Sequence, residues 1–370
     1  MINKNMIYPF AYSEKNLILP DVTVIPKDVA SNFRVIESNK VLFPESANNL
    51  EAAGELKDVL SKIQRYSEDP KYSCSLNSVN RFGIQKGAEE IVELILNKYV
   101  DVCREKRDKK LGFGPGIQYN FFGLGPEGIE VTLGNYGTFA ATLLKAAEDS
   151  KYKSMLINES ENIFGHEHKH GFTVNPPATN AICETKDEYI LIVNRGPTAE
   201  YSKMYHNLAA GHHDPIEVSK AGDIINIEDL ILHQINKEVG FSKDDLKIDF
   251  KFNGIAFSAG YDKNISGTEK VEVLTYAKID KTVNEIVESI KRNPEHRWET
   301  RQLLAVPRKK INEFIKKTSD AKKPVGYVVG IEKYFSDVQP GTDSNSKSYW
   351  VPVGLANLIA WTRINPYILD

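Results

Sequence analysis

Ala209-Ala210-Gly211-His212-His213-Asp214-Pro215-Ile216-Glu217 is followed, after fifteen intervening residues, by His233-Gln234-Ile235-Asn236-Lys237-Glu238-Val239-Gly240-Phe241. The second stretch closes a well-signalled helix. Asn226 suits the N-cap, because its side-chain oxygen can accept from an unpaired first-turn amide. Glu228 and Asp229 follow in the first turn, where the helix dipole favours acids. Ile227, Leu230, Ile231, Ile235 and Val239 recur at helical spacing and predict one buried stripe. Gly240 fits the left-handed position that ends a helix.

The segments before this pair predict strands. Ala178-Thr179-Asn180-Ala181-Ile182-Cys183 is one, and Glu188-Tyr189-Ile190-Leu191-Ile192-Val193-Asn194-Arg195 is the next, across a turn at Lys186-Asp187. Downstream, strands are expected at 248–258, 270–278 and Gln302-Leu303-Leu304-Ala305-Val306-Pro307. Helices are expected at 281–292, 308–318 and 350–362. Trp298, Trp350 and Trp361 read as core residues rather than as platforms for a stacked base.

Strand, turn, strand ending in Arg195, then Gly211, Glu217 and a capped helix ending at Gly240 resembles a Nudix box with its lead-in. That family's box is a Gly, five residues, a Glu, seven residues, then Arg-Glu-aliphatic-any-Glu-Glu-any-Gly-aliphatic. Gly211 and Glu217 match the first half, and the spacer here is fifteen residues instead of seven. The resemblance implies an α/β fold: a mixed sheet between helices over residues 172–370, after an α+β domain at 1–150. It also implies a nucleotide or nucleoside diphosphate-linked ligand. Family members hold Mg²⁺ or Mn²⁺ on box carboxylates, and the metal neutralises pyrophosphate and activates water.

Matched position by position, the metal face is thin. His233 stands for Arg, Gln234 for the first helical Glu and Lys237 for the next, leaving Glu238 and, upstream, Glu217. The resemblance therefore makes Glu217 and Glu238 the metal ligands and, with Glu299, the catalytic carboxylates; Asp214 and Asp223 stand in reserve. A unit charge about 4 Å from a cation charge, at an effective dielectric of about 20, is worth about 4 kcal/mol. Exchanging Glu for Lys at 237 reverses the sign of such a term. Arg195, Gly211, His212, His213, His233, Gln234 and Lys237 are the expected ligand contacts. Three readings stand open: a binding protein with impaired hydrolysis, a hydrolase with a non-standard carboxylate set, and an interaction scaffold on the same fold.

The first 150 residues carry no motif of this kind. Helices are expected at 48–65 and 87–108 and short strands within 16–37, such as Val22-Thr23-Val24-Ile25. Arg104-Glu105-Lys106-Arg107-Asp108-Lys109-Lys110 reads as a solvated helix end. Gly123-Leu124-Gly125-Pro126-Glu127-Gly128 matches a dinucleotide fingerprint only formally. A strand follows it, whereas that site needs its glycines to open a helix. The expectation is a hairpin over 117–133 and a helix at 137–150. His166, His168 and His170 alternate as metal ligands in a strand would, but flanking Gly165 and Gly171 favour a loop.

Composition fits these assignments. The 370 residues are 41% apolar and 26% charged with net charge −3, which argues against a dedicated nucleic-acid binder. Cys74, Cys103 and Cys183 are odd in number and unpaired in spacing, as expected of thiols in a reducing compartment. No apolar run approaches the roughly 20 residues of a membrane helix. The expected setting is cytoplasmic, with a protein partner or a second copy meeting the N-terminal domain.

Overall fold

The computed structural model describes residues 6–8, 21–24, 32–35, parts of 91–102, and 117–125, 128–135, 139–164, 172–173, 175–196, 203–212, 223–241, 243–259, 269–292, 300–320, 328–336, 340–341 and 348–364. The expected helix at 48–65, the basic run after 103, the histidine run 166–170, Cys74, Cys103 and Trp298 lie outside them.

The strands are β1 (Met6–Tyr8), β2 (Asp21–Val24), β3 (Asn32–Val35), β4 (Ile117–Gly125), β5 (Gly128–Asn135), β6 (Ala178–Glu184), β7 (Tyr189–Arg195), β8 (Tyr205–Asn207), β9 (Ala209–His212), β10 (Ile224–Asn226), β11 (Ile248–Ala259), β12 (Glu269–Ile279), β13 (Thr300–Pro307) and β14 (Glu332–Tyr334). The α-helices are α1 (Lys145–Glu148), α2 (Ser150–Phe164), α3 (Ile227–Val239), α4 (Val283–Arg292), α5 (Ile311–Thr318) and α6 (Pro352–Ile364). A π-helical turn, Ala140–Leu144, precedes α1.

Two sheets result. The larger runs β1-β2-β11-β12-β6-β7-β13-β14, with β8 on β7 and β9 on β6; the smaller runs β10-β3-β5-β4. Both are mixed: β12 pairs β6 in parallel and β3 pairs β5 in parallel, while the other pairs are antiparallel. The protein is therefore mixed α/β.

Strand alternation sorts the large sheet's side chains into two cores. Leu191 and Val193 of β7 join Ile227, Leu230, Ile231, Ile235 and Val239 of α3, with Ile286 and Ile290 of α4. Ile190 and Ile192 point the other way, to Phe314 of α5 and Leu355, Leu358 and Trp361 of α6. The near-continuous apolar run in β7 is what a strand covered on both faces requires. Trp350 and Trp361 both lie in the second core. Phe33, Tyr119, Phe121, Ile129 and Val131 of the small sheet belong to the first core, beside α3. One buried apolar cluster thus runs from residue 33 to residue 305.

Local chemistry behaves as the residues dictate over most elements. Asn226 accepts from the Glu228 amide at 2.9 Å, and Gly240 sits at φ 75° with its amide donating to Asn236 O. The 123–128 glycines lie in the hairpin strands: Gly123 pairs with Glu130, and Gly125 pairs with Gly128 where β4 and β5 close. Asp187 in the turn before β7 accepts from Val283 N at 3.1 Å, tying that turn to the start of α4. Three departures stand out. The helix expected from 137 opens as the π-turn. A second helix, α2, carries on to Phe164. Within residues 205–212, where no strand is expected, the chain forms β8 and β9. No described helix is long and apolar enough to cross a membrane.

The two ends of α3 give an additive test. Asn226→Ala removes the cap and should cost about 1 kcal/mol. Gly240→Ala forces a Cβ into the left-handed region and should cost about 1–2 kcal/mol. The helix is about 20 Å long, so the double variant should lose the sum of the two within about 0.5 kcal/mol by urea denaturation.

Candidate functional site

The site forms where β9 crosses the face of α3. Beyond Cys183–Leu191 and Glu184–Ile190, β6 and β7 no longer pair. Residues 205–212 enter the gap: β8 pairs with β7, and β9 pairs with β6 through Thr179–Gly211 and Ala178–His212. Buried backbone groups must find partners, and this insertion supplies them where the two strands diverge. It also carries Gly211 onto α3.

The contact is close. A Cβ at 211 would stand 3.3 Å from Gln234 Nε2, tighter than nearly all real contacts of that kind. Glycine is the residue that lets strand and helix approach this far. Gln234 is only 8% exposed, and its Nε2 donates to Glu238 Oε1 at 2.7 Å, one turn along the same helix. The two side chains sit at i and i+4 and form one polar strip on the buried flank of α3.

Glu238 also acts on its surroundings. Burial pushes the Cys183 thiol up to about 12, the nearby Glu238 charge adds to the rise, and the Ala209 backbone amide opposes it. That thiol is fully protonated near neutral pH, so Cys183 is a small buried hydrophobe and not a nucleophile.

The other expected residues divide clearly. His233 and Lys237 are exposed, one turn apart on the solvent side of α3. The Lys237 ammonium therefore extends into water from the helix flank next to the Gln234–Glu238 strip. His212 is half-buried, with its ring 6.5 Å from that of Phe139, the residue that opens the π-turn. Nothing in the periodicity around Phe139 announces that contact. Arg195 ends β7, and alternation from Leu191 and Val193 puts it on the sheet face that α3 covers. Asp223 is half-buried just before β10. His213, Asp214, Glu217 and Glu299 lie outside the described residues.

A hard divalent cation takes about six oxygen ligands, carboxylates first. At the strip itself the described residues offer one carboxylate, Glu238, and one neutral carbonyl, Gln234. Among them no group of three or more His, Cys, Asp or Glu could hold a metal ion. The described part of the strip alone does not fit a Mg²⁺ or Mn²⁺ site.

Fold and site together define a mixed α/β protein whose polar strip lies where an inserted strand meets a capped helix. Neither a family model nor a curated protein matches the chain. Solved structures that resemble part of it include the Deinococcus radiodurans protein DR0079, at 10% identity and a TM-score of 0.20 over 29% of this chain and 57% of that one. Another is the Nudix hydrolase RenU from M. smegmatis, at 11% identity and a TM-score of 0.20 over 29% of this chain and 61% of that one. The chain thus covers less than two thirds of either structure's length.

Gln234→Glu tests the strip. It replaces a donor with a second carboxylate against Glu238, so one of the two must hold a proton or both must repel. The pair's carboxyl pKa is then raised in the folded state relative to the unfolded chain. The folded state binds the extra proton, so stability falls as pH rises. We expect the variant to match wild type more closely at pH 5 than at pH 8, with a loss of about 1–3 kcal/mol at pH 8, read from urea midpoints at both values.

Proposed function

We propose that this is a Nudix-like protein that binds a nucleotide or nucleoside diphosphate-linked ligand beside β9 and α3, with metal-dependent hydrolysis impaired. One observation carries the reading. The Gln234 amide is packed against Gly211 and hydrogen-bonded to Glu238. Where the family's pattern has a carboxylate at each of these two helical positions, this chain has one carboxylate already hydrogen-bonded by an internal donor.

The cations around the strip suit a phosphate better than a metal does. Arg195 can give a planar fork of donors to phosphate oxygens. Lys237 and His233 stand on the adjoining solvent-facing flank, and His212 flanks Gly211 at the end of β9. In this reading Gly211 keeps the backbone close to the helix, and the cations do the charge neutralisation that a metal does elsewhere. Glu217 and Glu299 would supply the missing carboxylates if hydrolysis survives.

Thermal unfolding with ADP and with a nucleotide sugar, each with and without Mg²⁺ or Mn²⁺, tests this. A ligand at about 100 times its Kd adds about 2.7 kcal/mol to stability. The expected result is stabilisation that needs no added metal, reduced in Arg195→Ala and Lys237→Ala, with no phosphate or nucleotide product on long incubation. Metal-dependent product that disappears in a folded Glu238→Gln protein would replace this reading with an active pyrophosphohydrolase. No stabilisation by any nucleotide would leave the interaction scaffold.

A further inference from the structure

The sheet face beneath α6, opposite the candidate site, contains a buried set of amides. Asn357 of α6 donates from Nδ2 to Asn180 O at 2.6 Å, Asn180 Oδ1 at 3.0 Å and Thr275 O at 3.0 Å. Asn253 donates to Asn357 Oδ1 at 3.0 Å. Asn207 donates to Asn180 Oδ1 at 2.6 Å and to Gly354 O at 3.3 Å. These bonds account for α6 and for the strands it touches. They leave one end of the set unserved.

Asn194, the penultimate residue of β7, is 0% exposed, yet neither its Nδ2 nor its Oδ1 has a hydrogen-bond partner. Asn207 Oδ1 has none either. The β7–β8 register pairs Asn194 with Tyr205 and Ile192 with Asn207. Asn194 and Asn207 are therefore diagonal neighbours on one sheet face, about 7–8 Å apart at their Cα atoms. Gln302, opposite Asn194 on β13, donates to Ser336 O, and Tyr205 packs its ring on Trp350 and Phe314.

A buried amide with both ends unserved is costly, and native interiors serve such groups. The three open atoms comprise one donor group and two acceptors, all of them uncharged. A guest that satisfies them must be small, neutral, and able to donate and accept at once. We propose that Asn194 and Asn207 form a buried site for ordered water. One molecule accepts from Asn194 Nδ2 and donates to Asn207 Oδ1, and a second donates to Asn194 Oδ1. Buried waters of this kind make about three hydrogen bonds each. The site is independent of the nucleotide reading, since it lies on the other face of the sheet.

A high-resolution crystal structure of the full chain tests it directly. Discrete water density within hydrogen-bond distance of both amides supports the site. Empty density, density for a larger molecule, or direct pairing of the two amides with protein groups overturns it. Asn194→Val reads the same question through stability. If water is held there, the variant strands Asn207 Oδ1 and the melting midpoint falls by about 2–4 °C. If Asn194 is merely an unserved amide, valine removes its burial cost, the midpoint rises, and the proposal fails.

Discussion

The structure depends on how the chain closes the gap between β6 and β7. Two antiparallel strands that pair only through Cys183–Leu191 and Glu184–Ile190 would leave backbone donors and acceptors open inside the protein. The segment 205–212 fills that gap from both sides, and Asn357 reaches from α6 to carbonyls on β6 and β12. The helix comes close enough because Gly354 has no side chain: a Cβ there would stand 2.7 Å from His206 Nδ1. His206 Nδ1 in turn accepts from the Asn207 backbone amide at 3.0 Å. A polar core of this kind costs desolvation, and its gain is a single docking position for α6.

Much of this was legible in the sequence wherever local chemistry decides the outcome. Asn226 and Gly240 mark α3 to the residue, the apolar stripe between them fills the first core, and the run from Tyr189 to Val193 gives a strand covered on both sides. The same holds for the hairpin at Gly125–Gly128, where a following strand ruled out a dinucleotide turn. Short strands made by insertion are a different matter. Nothing in Tyr205-His206-Asn207 or Ala209-Ala210-Gly211-His212 has strand length or alternation, because these residues pair only where a gap exists to receive them.

Asparagine misleads in the same way. Asn180, Asn194, Asn207, Asn253 and Asn357 are residues that ordinarily favour turns and surfaces. All five are buried here, and for Asn180, Asn207, Asn253 and Asn357 tertiary structure brings backbone carbonyls and other amides within hydrogen-bond reach. Gln234 illustrates the point at the candidate site. Position matching makes it a stand-in for a helical Glu and a ligand contact, whereas the structure shows it spending its donor on Glu238 beneath Gly211. The likeness to a Nudix box could locate the helix and the glycine, but it could not tell which side chains of α3 face the sheet. His233 and Lys237 prove to be on the solvent side.

Both polar features share one strand. Thr179 of β6 pairs with Gly211 and so sets the strand that meets Gln234, while its neighbour Asn180 carries the bonds to Asn207 and Asn357 on the opposite face. Adjacent residues of a strand point to opposite faces, so a single backbone segment fixes the position of the candidate site and the docking of α6. A shift of β6 by one residue would put Thr179 or Ala181 in place of Asn180 under Asn357 and change the residue that Gly211 pairs with. The cost of the buried amides on one side is therefore tied to the closeness of β9 and α3 on the other. That coupling gives a physical reason for polar residues in a core that hydrophobic ones could have filled.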